Sequence, residues 1–358
     1  MKQLPQKQSL VAQTVAVLKG EIQSGDWKHG LPAERKLCEQ LVISRGTLRA
    51  ALDCLRREGL IKSRQGSGWE ITNRKPNRLS SATKKSLVLL TPQPLHVLTP
   101  FSIFWIDNLR EHLGEAGYHL DVRHERACFA RNPDRALEEL AHRVRPAGWV
   151  INSSTARMQH WFSKRSLPCV ITGSRHEGVR LTTVDRDLTA ACRHAAGMLI
   201  AKGHTRLVLL NPKSGLAGDI DCETGFREVA NRLLPKNGEV IIAHHDGTRD
   251  GVCRRFGALL RHQPAATGFL VSGPKYAITA LGLLLRKGIR LPQDAAFISR
   301  DDDSFLQYVV PSIARYSTDP TLFARKVSRT VLRLVQGGTV PPQDIRVMPR
   351  FVPGETFG

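Results

Sequence analysis

Arg45, Thr47 and Arg49 follow Ser44 at close intervals in Ser44-Arg45-Gly46-Thr47-Leu48-Arg49. On a helix the two arginines, four apart, share a face with Thr47 close by. A guanidinium can hold O6 and N7 of guanine together, and a threonine hydroxyl can meet a base or a phosphate. A helix N-terminus also favours phosphate electrostatically. Ser44 fits the cap position, where its hydroxyl accepts a free backbone N–H. Downstream, Arg64-Gln65-Gly66-Ser67-Gly68 lies between Leu60-Ile61 and Trp69 to Ile71 and reads as a glycine-tipped hairpin. Its backbone can approach a sugar-phosphate chain closely. Each arginine alone reads equally as a solvated surface charge. The order of cap, helix and hairpin points instead to a duplex held in its major groove. A protein-protein module of the same shape is the alternative.

Two further helices must position this segment. Leu10, Val11, Val15, Leu18 and Ile22 recur at helical spacing and predict a helix from about Ser9 to Ser24, ended by Gly25. Pro32 suits the start of the next helix, where Leu37 and Leu41 face inward and Glu34, Arg35 and Lys36 lie nearer solvent. Leu48, Leu52 and Leu55 supply the buried stripe of the third helix, and Gly59 stops it.

Charge supports the same reading. The 358 residues carry a net charge of +21. The first 85 hold 17 lysines and arginines against 7 acids, about three times the charge density of the remainder. Such a footprint favours a polyanion, because each neutralised phosphate releases counterions; the bland reading is a solvated basic face. Seven widely spaced cysteines with no Cys-x-x-Cys fit reduced thiols, neither a disulfide framework nor a zinc site. With no secretory apolar core at the N-terminus and no apolar run near 20 residues, the expectation is a soluble, cytoplasmic protein with no membrane partner.

Three regions follow: 1–72 as the DNA-binding head, 73–85 as a basic polar linker, and 86–358 as a larger domain. In the last, the apolar runs Leu87–Leu90, Trp149–Ile151, Val170–Ile171, Leu207–Leu210, Val240–Ile242, Gly268–Val271 and Ala296–Ile298 alternate with helical patterns near 101–116, 188–201, 224–234, 277–286 and 322–335. Unbroken apolar strands between helices argue for parallel sheets covered on both faces. About 270 residues fit two doubly wound lobes with a ligand cleft at the strand C-termini better than one sheet. The fold class is therefore majority α/β, with an N-terminal winged helix-turn-helix.

Leu31-Pro32-Ala33-Glu34-Arg35, the Ser44 to Arg49 segment, Glu58-Gly59-Leu60 and Arg64 to Gly68 together resemble the GntR family of bacterial winged-helix regulators. The resemblance implies DNA contacts from Arg35, Ser44, Arg45, Thr47, Arg49, Gln65, Gly66 and Ser67. Ala33 departs from the family's serine, and Gly46 loosens the start of the recognition helix. The larger domain resembles the ligand-sensing domain of LacI-type repressors and periplasmic sugar-binding proteins, through Gly203-His204-Thr205-Arg206-Leu207, Gly225-Phe226, Lys287 to Asp294, Asp301-Asp302 and Pro311. It implies an effector site drawing on Phe101, Phe104, Asn152, Lys275, Arg300 and Asp301. Cys222 stands where that family commonly has an effector-binding arginine, and Gly273-Pro274 where it has an Asn-Asp pair. These losses suggest an effector other than a simple neutral sugar in the usual pose, anionic or substituted.

Catalytic readings fare poorly. Asp301-Asp302-Asp303 lies on an extended segment where neighbours point in alternating directions. His244-His245 has no partner at metal-ligand spacing and reads as a surface pair, and His204 as a structural hydrogen bonder. No nucleophile elbow, P-loop or zinc-protease motif occurs. No catalytic residue, metal or cofactor is expected. The expected function is a transcription regulator, most simply a repressor, whose dimer reads a pseudo-palindromic operator and answers a sugar or sugar derivative. A carbohydrate-acting enzyme, or a GntR regulator with another sensory domain, are the alternatives.

Overall fold

A computed structural model describes residues 10–24, 30–41, 43–57, 59–63, 68–72, 86–262, 265–337 and 341–358. Two units emerge, Met1–Ser80 and Ser81–Gly358. The segment 73–85, read as the linker, lies outside the described residues.

The first unit runs α1 (Leu10–Ser24), α2 (Glu34–Leu41), α3 (Arg45–Arg57), β1 (Ile61–Ser63) and β2 (Trp69–Ile71). Leu18, Leu31, Leu37, Leu48, Leu52, Leu55 and Ile61 form its buried core. Burying this apolar stripe is what holds so short a set of helices together. Gly59, at φ 72°, takes the left-handed conformation that ends α3, and the Leu60 N–H then bonds the Leu55 carbonyl at 3.0 Å. β1 and β2 pair antiparallel, Ile61 opposite Ile71. The Leu31 N–H donates to the Trp69 carbonyl at 2.8 Å, tying the hairpin back to the entrance of α2.

The second unit contains two six-stranded sheets. In the first lobe β3 (Ser86–Thr91), β4 (His119–His124), β5 (Gly148–Asn152), β6 (Cys169–Thr172), β7 (Thr182–Arg186) and β13 (Asp344–Val347) are ordered β13-β7-β6-β5-β3-β4. In the second, β8 (Arg206–Pro212), β9 (Glu239–His245), β10 (Gly268–Val271), β11 (Ala296–Ser299), β12 (Ala314–Ser317) and β14 (Arg350–Val352) are ordered β14-β12-β11-β10-β8-β9. Every pairing is parallel except β12 with β14. Central strands such as β3, β8 and β10 are buried residue after residue, which parallel sheets covered on both faces require.

Helices α4 (Pro100–Glu115), α5 (Asp134–Val144), α6 (Ala156–Lys164) and α11 (Pro320–Val335) cover the first sheet. Helices α7 (Leu188–Ala201), α8 (Ala217–Leu233), α9 (Arg249–Leu259) and α10 (Pro274–Arg286) cover the second. The chain passes between lobes after β7, after β12 and after β13. The ends of β5, β6 and β7 in one lobe and the segments after β10 and β11 in the other bring polar residues to one cleft.

Candidate functional site

In the first unit the hydroxyl of Ser44 accepts from the Thr47 N–H at 3.1 Å and contacts the Thr47 hydroxyl at 2.9 Å. Ser44 is thus the cap of α3, and its side chain is engaged within the helix start. Arg45 and Arg49 lie exposed beyond it, opposite buried Leu48 and Leu52. The Arg49 Nε donates to Glu34 Oε2 at 3.1 Å, and the Trp69 indole donates to the other oxygen of Glu34 at 3.4 Å. Glu34 therefore fixes the reach of Arg49 against both α2 and the hairpin. Arg35 is exposed and, among the described residues, pairs with Glu39, 3.6 Å away and one turn on. Gln65, Gly66 and Ser67 lie outside the described residues.

In the second unit two adjoining recesses of about 230 and 510 Å³ open between the lobes. Both are lined by Phe101, Ser153, Arg186, Leu216, Asp219 and Arg300. Phe101 belongs to α4 and sits edge-on to Phe323 of α11, ring centroids 5.5 Å apart. Asn152, at the end of β5, lines the smaller recess and accepts from the Thr172 hydroxyl at 3.1 Å. Lys275 lines the larger one, its ammonium 4.9 Å from the ring centroid of Tyr276. Phe104 lies instead at an outer recess with Thr318 and Pro320, and is half exposed. It is one helical turn from Phe101 but nearer the rim.

The chemical centre is a buried network around Arg300 and Asp301. The Arg300 Nε donates to Asp301 Oδ2 at 3.0 Å and its Nη1 to Asp219 Oδ1 at 2.9 Å. Asp301 also accepts from the Gly273 N–H at 2.9 Å and from Arg186 Nη1 at 2.9 Å. Burial alone would raise the Asp301 carboxyl, but Arg300 and Arg186 beside it hold it down at about 2. Arg186 ends β7 in the first lobe and Asp301 follows β11 in the second, so their ion pair spans the cleft. The Arg186 guanidinium lies 4.8 Å from the centroid of Phe101, a geometry that suits cation–π attraction.

Sequence reasoning missed Arg186, Asp185 and Asp219. The strand of the first two, Thr182-Thr183-Val184-Asp185-Arg186, is too polar to read as a strand by its apolar content, and Asp219 stands in the first turn of α8. Asp185 accepts from the Ser174 hydroxyl at 2.9 Å, with Arg346 3.6 Å away. Burial still pushes its carboxyl up against these partners.

Several residues are not where the sequence suggested. Cys222 does not face the cleft: it is fully buried in the second-lobe core with Cys192. Gly273 serves the site through its backbone, at φ 88° just before Pro274 opens α10. The histidine pair is not a surface pair. His244 is exposed and meets Glu223 at 2.8 Å, but His245 is buried and packs against Tyr276 with centroids 4.3 Å apart. His204 does make a structural contact, its Nδ1 2.9 Å from the Thr267 hydroxyl. Asp302 pairs with Arg315 at 2.6 Å. Among the described residues no group of three His, Cys, Asp or Glu could hold a metal ion, and no helix is long and apolar enough to cross a membrane.

Residues 10–71 match the model of bacterial regulatory proteins of the gntR family, and residues 196–357 that of the periplasmic binding protein-like domain. The arabinose metabolism transcriptional repressor of Geobacillus stearothermophilus is 25% identical over 290 residues, 77% of this chain and 76% of that protein. The HTH-type transcriptional regulator CelR of Thermobifida fusca is 23% identical over 175 residues, so the match spans about half of each, 48% and 52%. A solved complex of transcriptional regulator CelR with cellobiose superposes with a TM-score of 0.67 at 17% identity, over 98% of this chain and all of that one. A periplasmic binding protein/LacI transcriptional regulator from Alkaliphilus metalliredigens, complexed with D-xylulofuranose, gives 0.63 at 17% identity over 76% and 99%.

Proposed function

We propose that this chain, a GntR-type DNA-binding head followed by a periplasmic-binding-protein-like domain, is a transcriptional repressor released from its operator by a small polyhydroxylated effector. What carries this reading is the combination of an arginine-bearing, capped α3 in one unit with a polar inter-lobe cleft in the other. The named relatives are regulators of transcription, and solved neighbours hold cellobiose or D-xylulofuranose. Such a protein works where bacterial DNA is, in the cytoplasm.

Arg45 and Arg49 are assigned to base edges, with Thr47 beside them; Arg35 and the hairpin segment of Gln65, Gly66 and Ser67 are assigned to the phosphate backbone. Ser44 acts through the cap. For the effector, charge balance moves the reading away from an anion. Arg186 and Arg300 are both paired with aspartates, which leaves Lys275 as the cleft cation without a carboxylate partner among the described residues. A neutral sugar can take the remaining donor edges of the guanidinium groups and the acceptors of Asn152, Asp185 and Ser174 without displacing an ion pair. A phosphate would have to compete with buried aspartates. Titration calorimetry against neutral pentoses, hexoses and disaccharides, with their phosphates as the contrast, tests this. A neutral sugar that binds and releases the protein from its operator in a gel shift is expected. Tighter binding of the phosphorylated forms would reverse the assignment.

The partner assigned to the exposed apolar segment before β12 is a second copy of the chain. Tyr308 is 80% and Val310 85% exposed, with Phe305 nearby in sequence also exposed. Large apolar side chains this open to water mark an interface, and a two-fold dimer matches a pseudo-palindromic operator. Tyr308→Asp should turn a dimer into a monomer in light-scattering chromatography; a mass unchanged by the substitution would move the interface elsewhere.

A further inference from the structure

Beyond the cleft, the first lobe carries a groove at the open side of its sheet. It encloses about 180 Å³ and is lined by Lys326, Arg329, Thr330, Arg333, Gln343 and Ile345. The three cations come from one face of α11, and no carboxylate is among the lining. From Thr321 to Gln343 the sequence contains no aspartate or glutamate. None of the three makes an ion pair among the described residues.

The other wall is β13, the edge strand of its sheet. Its parallel pairing with β7 sets Asp344 opposite Thr183 and Val347 opposite Arg186. The Thr183 N–H donates to the Gln343 carbonyl at 2.9 Å and the Asp187 N–H to the Val347 carbonyl at 2.8 Å. Alternate residues of a paired strand face the same neighbour. The main-chain groups of Asp344 and Arg346 therefore point away from β7, to the open edge. Ile345 turns its side chain towards the α11 side, where it packs on the lobe core.

We propose that this groove docks an extended acidic segment of a partner protein, which adds as a strand to β13 while its carboxylates meet Lys326, Arg329 and Arg333. Strand addition supplies main-chain hydrogen bonds, and side-chain pockets set which sequence is accepted. A DNA duplex matches the charge but has no amide ladder for the strand edge. A free small anion would face Arg329 and Arg333 in the open, where exposed ion pairs gain little. An acidic peptide satisfies both walls.

The test titrates the full chain into a fluorescein-labelled peptide of alternating glutamate and valine, read by anisotropy at low salt. Binding at least tenfold tighter than to the lysine-valine counterpart is expected. The double substitution Arg329→Glu with Arg333→Glu should weaken it at least tenfold while leaving the melting temperature and operator binding unchanged. N-methylation of alternate peptide amides should weaken it similarly, because it removes the ladder and leaves the charge. Equal affinity for the methylated peptide would overturn the strand mode. Unchanged peptide affinity in the double variant would overturn the site, and so would a loss confined to duplex DNA.

Discussion

Asp301 concentrates the electrostatics of the second unit. It is buried, bridges Arg300 and Arg186, and accepts a backbone N–H. Its folded carboxyl, at about 2, lies below the ordinary unfolded value of about 3.9. The stability it contributes, on the order of 2 kcal/mol, is present above pH ~4 and is lost as pH falls from there through ~2. Asp301→Asn should lower stability in urea melts at pH 7 by about 3 kcal/mol, since two guanidinium groups lose their shared charge. It should also flatten the decline of stability between pH 4 and 2. An unaltered acid profile would place the titrating group elsewhere. In the head, Arg49→Ala loses an exposed contact to Glu34, so stability should change by less than ~1 kcal/mol. Operator affinity should fall about tenfold or more, with specificity relaxed at one base pair. Arg35→Ala, as a phosphate contact, should instead reduce the salt slope by about one across all sequences. Gel shifts over a salt series separate the two roles.

At the level of elements, α3 stands on its cap. Ser44→Ala removes the acceptor for the Thr47 N–H and should cost the head about 1 kcal/mol, seen as a lower melting temperature of that unit. This cap was legible in sequence because an N-cap is a local event, decided within four residues. The glycine stop at Gly59 was legible for the same reason. The central strands were equally readable from their apolar runs. Polar β4, β7 and β13 were not, because these strands take their place from neighbours rather than from their own burial. α8 begins at Ala217, seven residues before the helical pattern suggested, since its first turn carries Gly218 and Asp219 to the cleft rather than to the core. Helix α5, with its strongly sided apolar face at Leu137 and Leu140, went unrecognised between two polar loops.

For the molecule as a whole, the Arg186–Asp301 pair ties one lobe of the second unit to the other, because each partner sits on a different lobe. Arg186→Ala should let the lobes separate, raising the radius of gyration measured by X-ray scattering without effector. The difference should shrink when a saturating effector is added, because binding across the cleft replaces the lost pair. An unchanged radius would mean that the three inter-lobe crossings alone set the angle. A coupling of this kind can reach the DNA only if effector affinity differs between the two lobe arrangements.

The sequence by itself determined the DNA-binding head, the alternation of buried strands and helices, and the two-lobed plan. These follow from short-range patterns of apolar spacing, capping and glycine stops. It also brought Phe101, Asn152, Lys275, Arg300 and Asp301 to notice. Only the tertiary structure decided what each of them meets. Cys222 falls into a core; Arg186, unnoticed on a polar strand, reaches across from the other lobe to complete Asp301. The partners of that ion pair are 115 residues apart in sequence and are set by how two sheets face each other. No local pattern encodes that distance.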